Sequence, residues 1–221
     1  MITVNPRIST LDSKIFQEYY KVAPATLGHG VNSAMHPTIK ALWSPVKLVG
    51  HAVTVQTHPH TVSAMYAALE IIEKGDVLVV NRDSDERYAP FGEFACHKFI
   101  EAGAGGLVID GPVTDQNAIR ELQFPVFSKG TSAMTVKPLG LSEGSVNVPV
   151  QVGGVAVNPG DMILADDDGV LVVSPSEARD LLNFGLSKEE WETWVRSELE
   201  AGRGISDIMN ERPSPKAPHY Q

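Results

Sequence analysis

The sequence predicts an α/β fold. Two short apolar runs, residues 77–80 and 107–109, are long enough for buried strands and too short for helices. Segments that favour helices flank both runs, and a series of short strand-like segments follows after residue 144. This mixture of strands and helices is typical of an α/β domain. We therefore take residues 107–109 as the central strand around which the chain is organised.

Length and composition limit the class of protein. The chain has 221 residues, 43% of them hydrophobic, which is enough for one generous domain with a real core. The formal net charge of -9 argues against a nucleic-acid partner, and no apolar segment has the length of a membrane span. One cysteine fits a reducing compartment, and residues 1–10 lack the apolar core of a signal peptide. We expect a soluble, cytoplasmic protein without a nucleic-acid or membrane partner. Residues 1–209 would form a single domain, and residues 210–221, which contain three prolines, a flexible tail.

Several elements are predicted before the central strand. Ser9 and Thr10 can cap a helix at residues 11–21, whose apolar residues share one face. Alternation of polar and apolar residues predicts a strand at residues 51–56. The remaining elements of this half are a helix at residues 61–74, a strand at 77–80, a charged loop at 81–90 and a helix at 91–102.

The second half of the chain favours strands and then helices. After the central strand, Asp115 opens a short helix. Strands are predicted at residues 125–127, 145–151, 155–157, 162–165 and 170–173. Ser176 and Ser187 open two closing helices, and Glu190 would complete a capping box with Ser187.

The first candidate site lies at the end of the central strand. Gly111 and Pro112 break the chain directly after Asp110, and Asp115 follows at the start of a helix. A carboxylate at a strand end, beside the free donors of a helix start, is a common arrangement in α/β sites. Because Asp is also a favoured N-cap, the sequence leaves Asp115 open between a functional carboxylate and a helix cap.

The second candidate site is the start of the helix at residues 91–102. Gly92 permits another group to approach the backbone closely. The N–H groups of Phe94 and Ala95 would be unpaired donors at this helix N-terminus, and such donors suit a carboxylate ligand. Glu93 can instead serve only to complement the helix dipole, so both interpretations stay open.

Other polar residues give weaker signals. Adjacent helical residues point in different directions, so Cys96 and His97 cannot act together, and we expect Cys96 to be a small core residue. His58 and His60 share a loop but lack a clear third metal ligand. Residues 166–169 predict a turn, because the later ligands of a calcium loop are missing.

Several short motifs occur in the order found in a known family. They are Phe91-Gly92-Glu93, the segment 105–115, Pro125-Val126-Phe127, Val146-Asn147-Val148-Pro149-Val150, Gly153-Gly154-Val155, Pro159-Gly160-Asp161 and the segment 165–170. From about residue 50 to 175 the chain resembles the 4-hydroxy-4-methyl-2-oxoglutarate/4-carboxy-4-hydroxy-2-oxoadipate aldolases and the related regulators of ribonuclease activity A.

The resemblance implies a compact α/β/α fold with a mixed, partly barrel-like β core and C-terminal helices. It also implies a homo-oligomer, either a trimer or a dimer of trimers, with active sites between subunits. The C-terminal helices at residues 176–209 would then reach a neighbouring subunit.

The resemblance further implies a site for Mg²⁺ or Mn²⁺ and a 2-oxo acid. Asp115 would hold the metal largely through waters. A Glu from the C-terminal helix of a neighbouring subunit would complete the metal environment, with Glu189 and Glu192 as candidates. The pyruvyl carboxylate would be bound by the residues of the helix start, Gly92, Glu93, Phe94 and Ala95.

The chain departs from this family at Thr114, where the family has an Arg. That guanidinium would stabilise the developing enolate, and Thr cannot supply a charge. We therefore take Asp115, Thr114 and Glu93 as the residues at the catalytic positions, and Thr114 also as a substrate-binding position. Either another cation, such as Arg82, Arg87 or Lys98, compensates, or the chemistry or the substrate differs.

The leading functional prediction is a divalent-metal-dependent lyase. It would cleave a C–C bond of a small 2-oxo acid, by retro-aldol reaction or decarboxylation, through a pyruvate enolate. Two alternatives stay open because of Thr114. The same pocket could catalyse another reaction with His58 or His60 as the base, or the chain could be a non-catalytic oligomeric regulator of a ribonuclease-like partner.

Overall fold

The computed structural model describes residues 1–137 and 140–218. In that part of the chain no helix is both long and apolar enough to cross a membrane. The helices are α1 (Ser13–Tyr19), α2 (Pro24–Leu27), α3 (Ser63–Ala67), α4 (Glu93–Glu101), α5 (Gln116–Glu121), α6 (Pro175–Asp180), α7 (Leu182–Glu200) and α8 (Ile205–Glu211). The strands are β1 (Ile2–Val4), β2 (Lys40–Ala41), β3 (Lys47–Gln56), β4 (Val77–Asn81), β5 (Gly106–Ile109), β6 (Val126–Ser128), β7 (Gly144–Val146), β8 (Val150–Val152), β9 (Val155–Val157), β10 (Met162–Asp166) and β11 (Gly169–Val173).

The main sheet is mixed, which confirms the predicted fold class. Its strands follow the order β1-β7-β3-β4-β5-β6-β2. Strands β3, β4, β5 and β6 run parallel, whereas β2 is antiparallel to β6 and β7 is antiparallel to β3. The first half of β3 pairs with β10, which forms a hairpin with β11, and β8 and β9 form a separate hairpin. The predicted central strand is β5, between β4 and β6.

Both faces of the parallel strands are buried. On one face, residues such as Val53, Leu78 and Leu107 pack with α3, α4 and α5. On the other face, the alternating residues, such as Val79 and Val108, pack with the hairpins β8–β9 and β10–β11. Burial on both sides is the reason why β4 and β5 are continuous apolar runs in the sequence.

The strand predicted at residues 145–151 is divided into β7 and β8. Asn147 lies in the left-handed region, with φ of 54°, and Pro149 has no N–H to donate to a neighbouring strand. The Asn147 side chain donates to the carbonyl of Pro6 at 2.9 Å, which holds the turn against the N-terminal segment. A tertiary contact therefore interrupts what the sequence pattern predicts as one strand.

Two helices are shorter than predicted. The helix expected at residues 61–74 is α3, followed by a 3₁₀ turn at residues 68–70. The helix expected at residues 11–21 is α1, which begins after Asp12, because this carboxylate accepts the N–H of Lys14 at 2.8 Å. Ser9 and Thr10 precede that cap, so they do not begin the helix.

The closing helices begin at other residues than predicted. The capping box belongs to α6, where the Ser174 hydroxyl accepts the N–H of Glu177 and the Glu177 carboxylate accepts the N–H of Ser174. Ser187 lies inside α7, so the capping box predicted for Ser187 and Glu190 is wrong. Gly185 lies inside the same helix and lets it pack closely, since a Cβ at that position would lie 2.9 Å from the side chain of Val22.

The segment predicted as a flexible tail packs along α7 over the part that the structure describes. Trp191 Nε1 donates to the carbonyl of Arg212 at 2.8 Å, and Lys188 Nζ donates to the Ser214 hydroxyl at 2.6 Å. Ala217 is buried in the same core as α1 and α2. Residues up to 217 thus belong to the packed domain, while residues 219–221 of the predicted tail lie outside the described part.

The N-terminal segment is anchored by a buried charged cluster. Arg7 donates to both carboxylate oxygens of Asp76, at 2.6 and 2.8 Å. His51 lies beside this pair, and its Nε2 accepts the backbone N–H groups of Thr10 and Leu11, each at 3.2 Å. Nε2 therefore carries no proton. Burial lowers the pKa of His51, and the positive charge of Arg7 lowers it further.

We expect His51 to make folding stability depend on pH. Because the pKa of His51 is lowered in the folded protein, the unfolded chain takes up a proton first as the pH falls through 6.5, the ordinary value. The stabilising effect is present above that pH and is lost below it, by at most about 1.4 kcal/mol per pH unit. Urea unfolding at about pH 7.5 and about pH 5.5 measures this change.

Two variants separate His51 from the other titrating groups. The free energy of unfolding should fall less between the two pH values in His51→Gln than in the wild type. His97 is exposed on α4, so His97→Gln should behave like the wild type. An equal fall in the wild type and in His51→Gln would contradict the assignment.

Candidate functional site

The loops that follow the parallel strands meet at one edge of the sheet. Strand β3 ends at Gln56, β4 at Asn81, β5 at Ile109 and β6 at Ser128. Parallel strands place their carboxyl ends on the same side, where sites of α/β proteins are commonly found. The polar residues of these loops therefore gather at this edge.

Asp115 reaches across this edge to the start of α4. Its Oδ2 accepts the backbone N–H of Glu93 at 3.0 Å, and its Oδ1 accepts the Thr114 hydroxyl at 3.3 Å. Gly92 permits the approach, because a Cβ at residue 92 would lie 2.3 Å from Asp115 Oδ2 and 2.7 Å from Thr114 Cγ2. The structure thus brings together four of the predicted site residues.

Asp115 does not cap the helix that it precedes. It stands at the N-cap position of α5 in the left-handed region, with φ of 57° and ψ of 39°, and its side chain accepts no N–H from that helix. Its carboxylate instead caps α4, whose own N-cap residue, Gly92, has no side chain. Left-handed residues other than Gly are uncommon and cluster at functional sites. Asp115 is therefore a helix cap, but of α4 and not of α5, the helix that it precedes.

The next two N–H groups of α4 are available to a ligand. Among the described residues, no acceptor is found for the N–H of Phe94 or of Ala95. The Phe94 side chain is 80% exposed, so solvent reaches this end of the helix. Free donors and the positive end of the helix dipole favour a negative charge at this point.

Arg82 cannot supply a charge at position 114. It is fully buried and donates to the carbonyls of His58 and Pro59, each at 3.0 Å, and to the Asp85 carboxylate at 2.7 Å. Burial lowers the pKa of Arg82, and the contact with Asp85 opposes this. The interpretation of Arg82 as a mobile replacement is wrong, because its guanidinium holds the loop after β4.

The other two candidate cations are engaged elsewhere. Lys98 Nζ lies 4.8 Å from the centroid of the Tyr66 ring, and the Arg87 guanidinium lies 5.8 Å from that of Tyr88. Neither makes a hydrogen bond or an ion pair with Thr114 in the part of the chain that the structure describes. Position 114 therefore keeps its own uncharged side chain without a compensating contact from these residues.

A cleft of about 680 Å³ begins beside the Asp115 turn. Gln116, the next residue in the chain, lines it. Gly130 and Thr131 form another part of its wall and pair with Val113, which precedes the turn. The cleft and the Asp115 turn therefore share one segment of backbone.

Lys129 lines this cleft and was not predicted as a site residue. Its Nζ lies 2.5 Å from Asp110 Oδ1 and 3.1 Å from Glu86 Oε1. Burial opposes the charged amine, but the two carboxylates outweigh it, so the pKa of Lys129 is raised. The available sequence signal was a lysine two residues after the strand predicted at residues 125–127, which places it at the same sheet edge.

Of the two loop histidines, one has a carboxylate partner. His58 Nδ1 lies 2.5 Å from Asp83 Oδ2, and the other oxygen of Asp83 accepts from the Gln56 side chain at 2.6 Å. His60 instead packs edge-on against the ring of Tyr88, with centroids 4.9 Å apart. Asp83 was not predicted as a partner, because it comes from the loop of the neighbouring strand.

The two predicted metal-ligand glutamates lie on α7 and have contacts of their own. Glu189 Oε1 accepts the N–H of Ala23 at 2.8 Å and the hydroxyl of Thr26 at 2.6 Å, so it serves α2. Glu192 is half-buried, and Lys188 Nζ is 3.8 Å away. In residues 1–137 and 140–218 of a single chain, no three His, Cys, Asp or Glu side chains are grouped to hold a metal.

Two smaller predictions are confirmed. Cys96 is fully buried in the core, and burial raises the pKa of its thiol to about 12. The three consecutive aspartates form the turn between β10 and β11, where Asp166 accepts the N–H of Asp168 at 3.0 Å. Neither group contributes to the site at the sheet edge.

Comparison with known proteins identifies similar sequences. Residues 21–172 match the family model described as RraA-like, Aldolase/RraA. Over 152 residues the chain is 35% identical to a protein of Halalkalibacterium halodurans that is named, provisionally, a 4-hydroxy-4-methyl-2-oxoglutarate aldolase. That match covers 69% of this chain and 71% of the relative.

Solved structures show the same fold. The crystal structure of RraAS2 from Streptomyces coelicolor, described as an unusual member of the RNase ES inhibitor RraA protein family, has a TM-score of 0.76 and 32% identity. The match covers 86% of this chain and 99% of RraAS2. The RNA-processing inhibitor RraA from Thermus thermophilis has a TM-score of 0.57 and 28% identity, over 63% of this chain and 84% of that protein.

We expect Gly92→Ala to lower the free energy of unfolding by about 1–3 kcal/mol, because the added Cβ would displace the Asp115 carboxylate. Gly204→Ala is the matched control, since Gly204 is the N-cap of α8 and, of the atoms described, a Cβ there meets only Asp207 Oδ2, at 3.4 Å. Urea unfolding of both variants measures the difference. Equal losses of stability would show that Gly92 is not required for close approach.

Proposed function

Because the chain belongs to the RraA-like family of aldolase and RraA proteins, we propose that it is a divalent-metal-dependent lyase that cleaves a C–C bond of a small 2-oxo acid. The relative from Halalkalibacterium halodurans bears the name of an aldolase for such a substrate. The observation that carries the proposal is the contact of Asp115 with the start of α4, which sets a carboxylate beside two free N–H donors.

The start of α4 would bind the carboxylate of the substrate. The N–H groups of Phe94 and Ala95 are the donors, and the helix dipole favours a negative charge at this point. Gly92 leaves room for the approach, because it adds no side chain beside Asp115. Fixing the carboxylate in this way orients the bond to be cleaved, and orientation is itself a large part of catalysis.

The donor chemistry at Asp115 fits Mg²⁺ or Mn²⁺. Both cations prefer oxygen ligands, and Mg²⁺ is usually held by one or two carboxylates with several waters. In the part of the chain that the structure describes, Oδ1 of Asp115 accepts only the Thr114 hydroxyl, at 3.3 Å, so it keeps a lone pair for a cation. When bound, the cation would supply a Lewis acid for the keto oxygen of the substrate.

A neighbouring subunit would supply the further carboxylate. Glu192 is the better candidate, because Glu189 already accepts two hydrogen bonds that hold α2. This part of the proposal requires an oligomer, and we propose the trimer or dimer of trimers that the family resemblance implies. Glu93 would remain at the entrance, where its backbone N–H positions Asp115.

Thr114 would limit the rate of the reaction. Loss of one preorganised donor for a developing oxyanion typically costs about 2.7–4 kcal/mol, or about a hundred- to a thousandfold in rate. Thr114 offers a hydroxyl that already donates to Asp115, so it cannot replace a guanidinium. We therefore propose slower cleavage than in relatives that have an Arg at this position.

The proposal is tested by isothermal titration of Mg²⁺ and Mn²⁺, each with and without oxalate, a mimic of the pyruvate enolate. Oxalate should bind wild-type protein only when metal is present. Both Asp115→Ala and Asp115→Asn should lose metal and oxalate binding. Asp115→Asn separates the two roles of the carboxylate, because its amide oxygen can still accept the N–H of Glu93. Asp12→Ala, which removes a helix cap far along the chain, should bind as the wild type does.

Pyruvate release from a panel of 4-hydroxy-2-oxo acids and oxaloacetate should follow the same pattern. If the wild type neither binds oxalate with metal nor releases pyruvate above a metal-only control, the lyase assignment fails. The alternative is then a non-catalytic regulator of a ribonuclease-like partner, as the description of RraAS2 suggests for that protein.

A second candidate function rests on the pair formed by His58 and Asp83. A carboxylate at Nδ1 orients a histidine and leaves Nε2 free to move a proton, as in many hydrolase sites. The same 2-oxo acid pocket would then catalyse a proton-transfer reaction with His58 as the base. His60 has no such partner among the described residues, so His58 is the histidine that the geometry favours.

His58→Ala should abolish turnover of the 2-oxo acid if this second function is correct, whereas His60→Ala should keep most of it. The assay is proton exchange at C3 of pyruvate, followed by NMR in D₂O, in the presence of Mg²⁺. Full exchange activity in His58→Ala would remove this candidate and leave the lyase proposal unaffected.

A further inference from the structure

The cleft beside the Asp115 turn contains a cation that the proposed lyase reaction leaves without a function. Lys129 lines the cleft, and Lys40 lies on the same wall. Ser128 and Thr131 add hydroxyl groups, and Glu86 is the single acidic residue among the lining residues that the structure describes. These groups suit an anion, provided that Lys129 can be reached.

Two carboxylates hold Lys129, and they differ in burial. Asp110 is 16% exposed, lies 2.5 Å from Nζ, and accepts the N–H of Gly153 at 3.0 Å with its other oxygen. Glu86 is 70% exposed and lies 3.1 Å from Nζ. Exposed ion pairs contribute little to stability, so Glu86 can leave while Asp110 keeps Lys129 in position.

The loop that carries Glu86 does not have to open for this exchange. Its base is held by Arg82, which donates to Asp85 at 2.7 Å, while Asp85 accepts the N–H of Arg87 at 3.0 Å. Among the described residues, the Glu86 side chain makes no hydrogen bond or ion pair other than the one with Lys129. Rotation of one exposed side chain is therefore sufficient to free the ammonium.

We propose that this cleft is a carboxylate-binding site, in which a ligand carboxylate replaces Glu86 on Lys129. The inference rests on the proposed function, because the cleft adjoins the turn that would hold the substrate. The ligand class is a small aliphatic dicarboxylic acid, bound at Lys129 by one of its two carboxylates. Ala41 and Leu42 on the cleft wall suit its methylene groups. Glu86 is then a competitor built into the chain, and Lys129 a residue that determines specificity.

The test is isothermal titration with glutarate, in a chloride buffer containing EDTA. Glutarate has no keto group, so its binding at Lys129 requires no divalent metal. Glu86→Gln should raise the affinity severalfold, because the competing charge is removed. Lys129→Met should lower it at least tenfold, and Lys129→Arg should retain most of it.

The exposed pair formed by Glu18 and Lys21 provides matched controls. It joins the same two residue types, with Lys21 Nζ 2.8 Å from Glu18 Oε2, and it lies at the end of α1. Glu18→Gln and Lys21→Met should both bind glutarate as the wild type does. Asp115→Ala should also bind glutarate as the wild type does, although it should no longer bind oxalate. Glutarate binding therefore reports on the cleft at Lys129, and oxalate binding reports on the proposed lyase site.

Several outcomes would overturn the inference. If neither the wild type nor Glu86→Gln binds glutarate, the cleft is not a carboxylate site. If Glu86→Gln binds glutarate with the same affinity as the wild type, a ligand carboxylate does not replace Glu86 on Lys129. This result can be obtained even if Lys129→Met fails to fold, because Glu86 is exposed and its substitution should not disturb folding. A purely structural role of Lys129 would lower the melting temperature of Lys129→Met without any effect of Glu86→Gln on binding.

Discussion

Burial of the parallel strands on both faces is the constraint on which the rest of the structure depends. Strands β3 to β6 satisfy their backbone groups in the sheet, and their side chains enter two separate cores. Charged groups are therefore confined to the strand ends. His58, Asp83, Asp115 and Lys129 follow four successive strands of the sheet and lie at its carboxyl edge. The position of the candidate site follows from this arrangement.

Two charged residues then organise that edge, and both act on the backbone. Arg82 is fully buried, so its charge requires partners, and it finds them in the carbonyls of His58, Pro59 and Tyr88, from two loops, and in Asp85. Asp115 reaches the free end of α4 and leaves two further N–H groups of that helix unused. The first residue ties the loops of this edge together, and the second sets a carboxylate beside two donors that have no acceptor among the described residues.

Sequence patterns located the main strands because burial leaves a direct trace in composition. The strand predicted at residues 107–109 is β5, and the one predicted at 77–80 is β4. The capping box predicted at Ser187 failed because several polar residues suit a helix start, and tertiary packing selects among them. The chain forms one continuous helix there, and Gly185 within it packs closely on Val22, a contact that is invisible in local propensity.

By itself, the sequence determined the α/β class, the strand at the centre of the sheet, and the helix that starts beside Gly92. It could do so because periodicity, breakers and helix ends are local properties of the chain. Only the tertiary structure decided which groups meet: Asp115 with α4 from 22 residues away, His58 with Asp83 from 25, and Lys129 with Asp110. Those pairings depend on strand order, because residues far apart in the chain become neighbours only when their strands lie side by side.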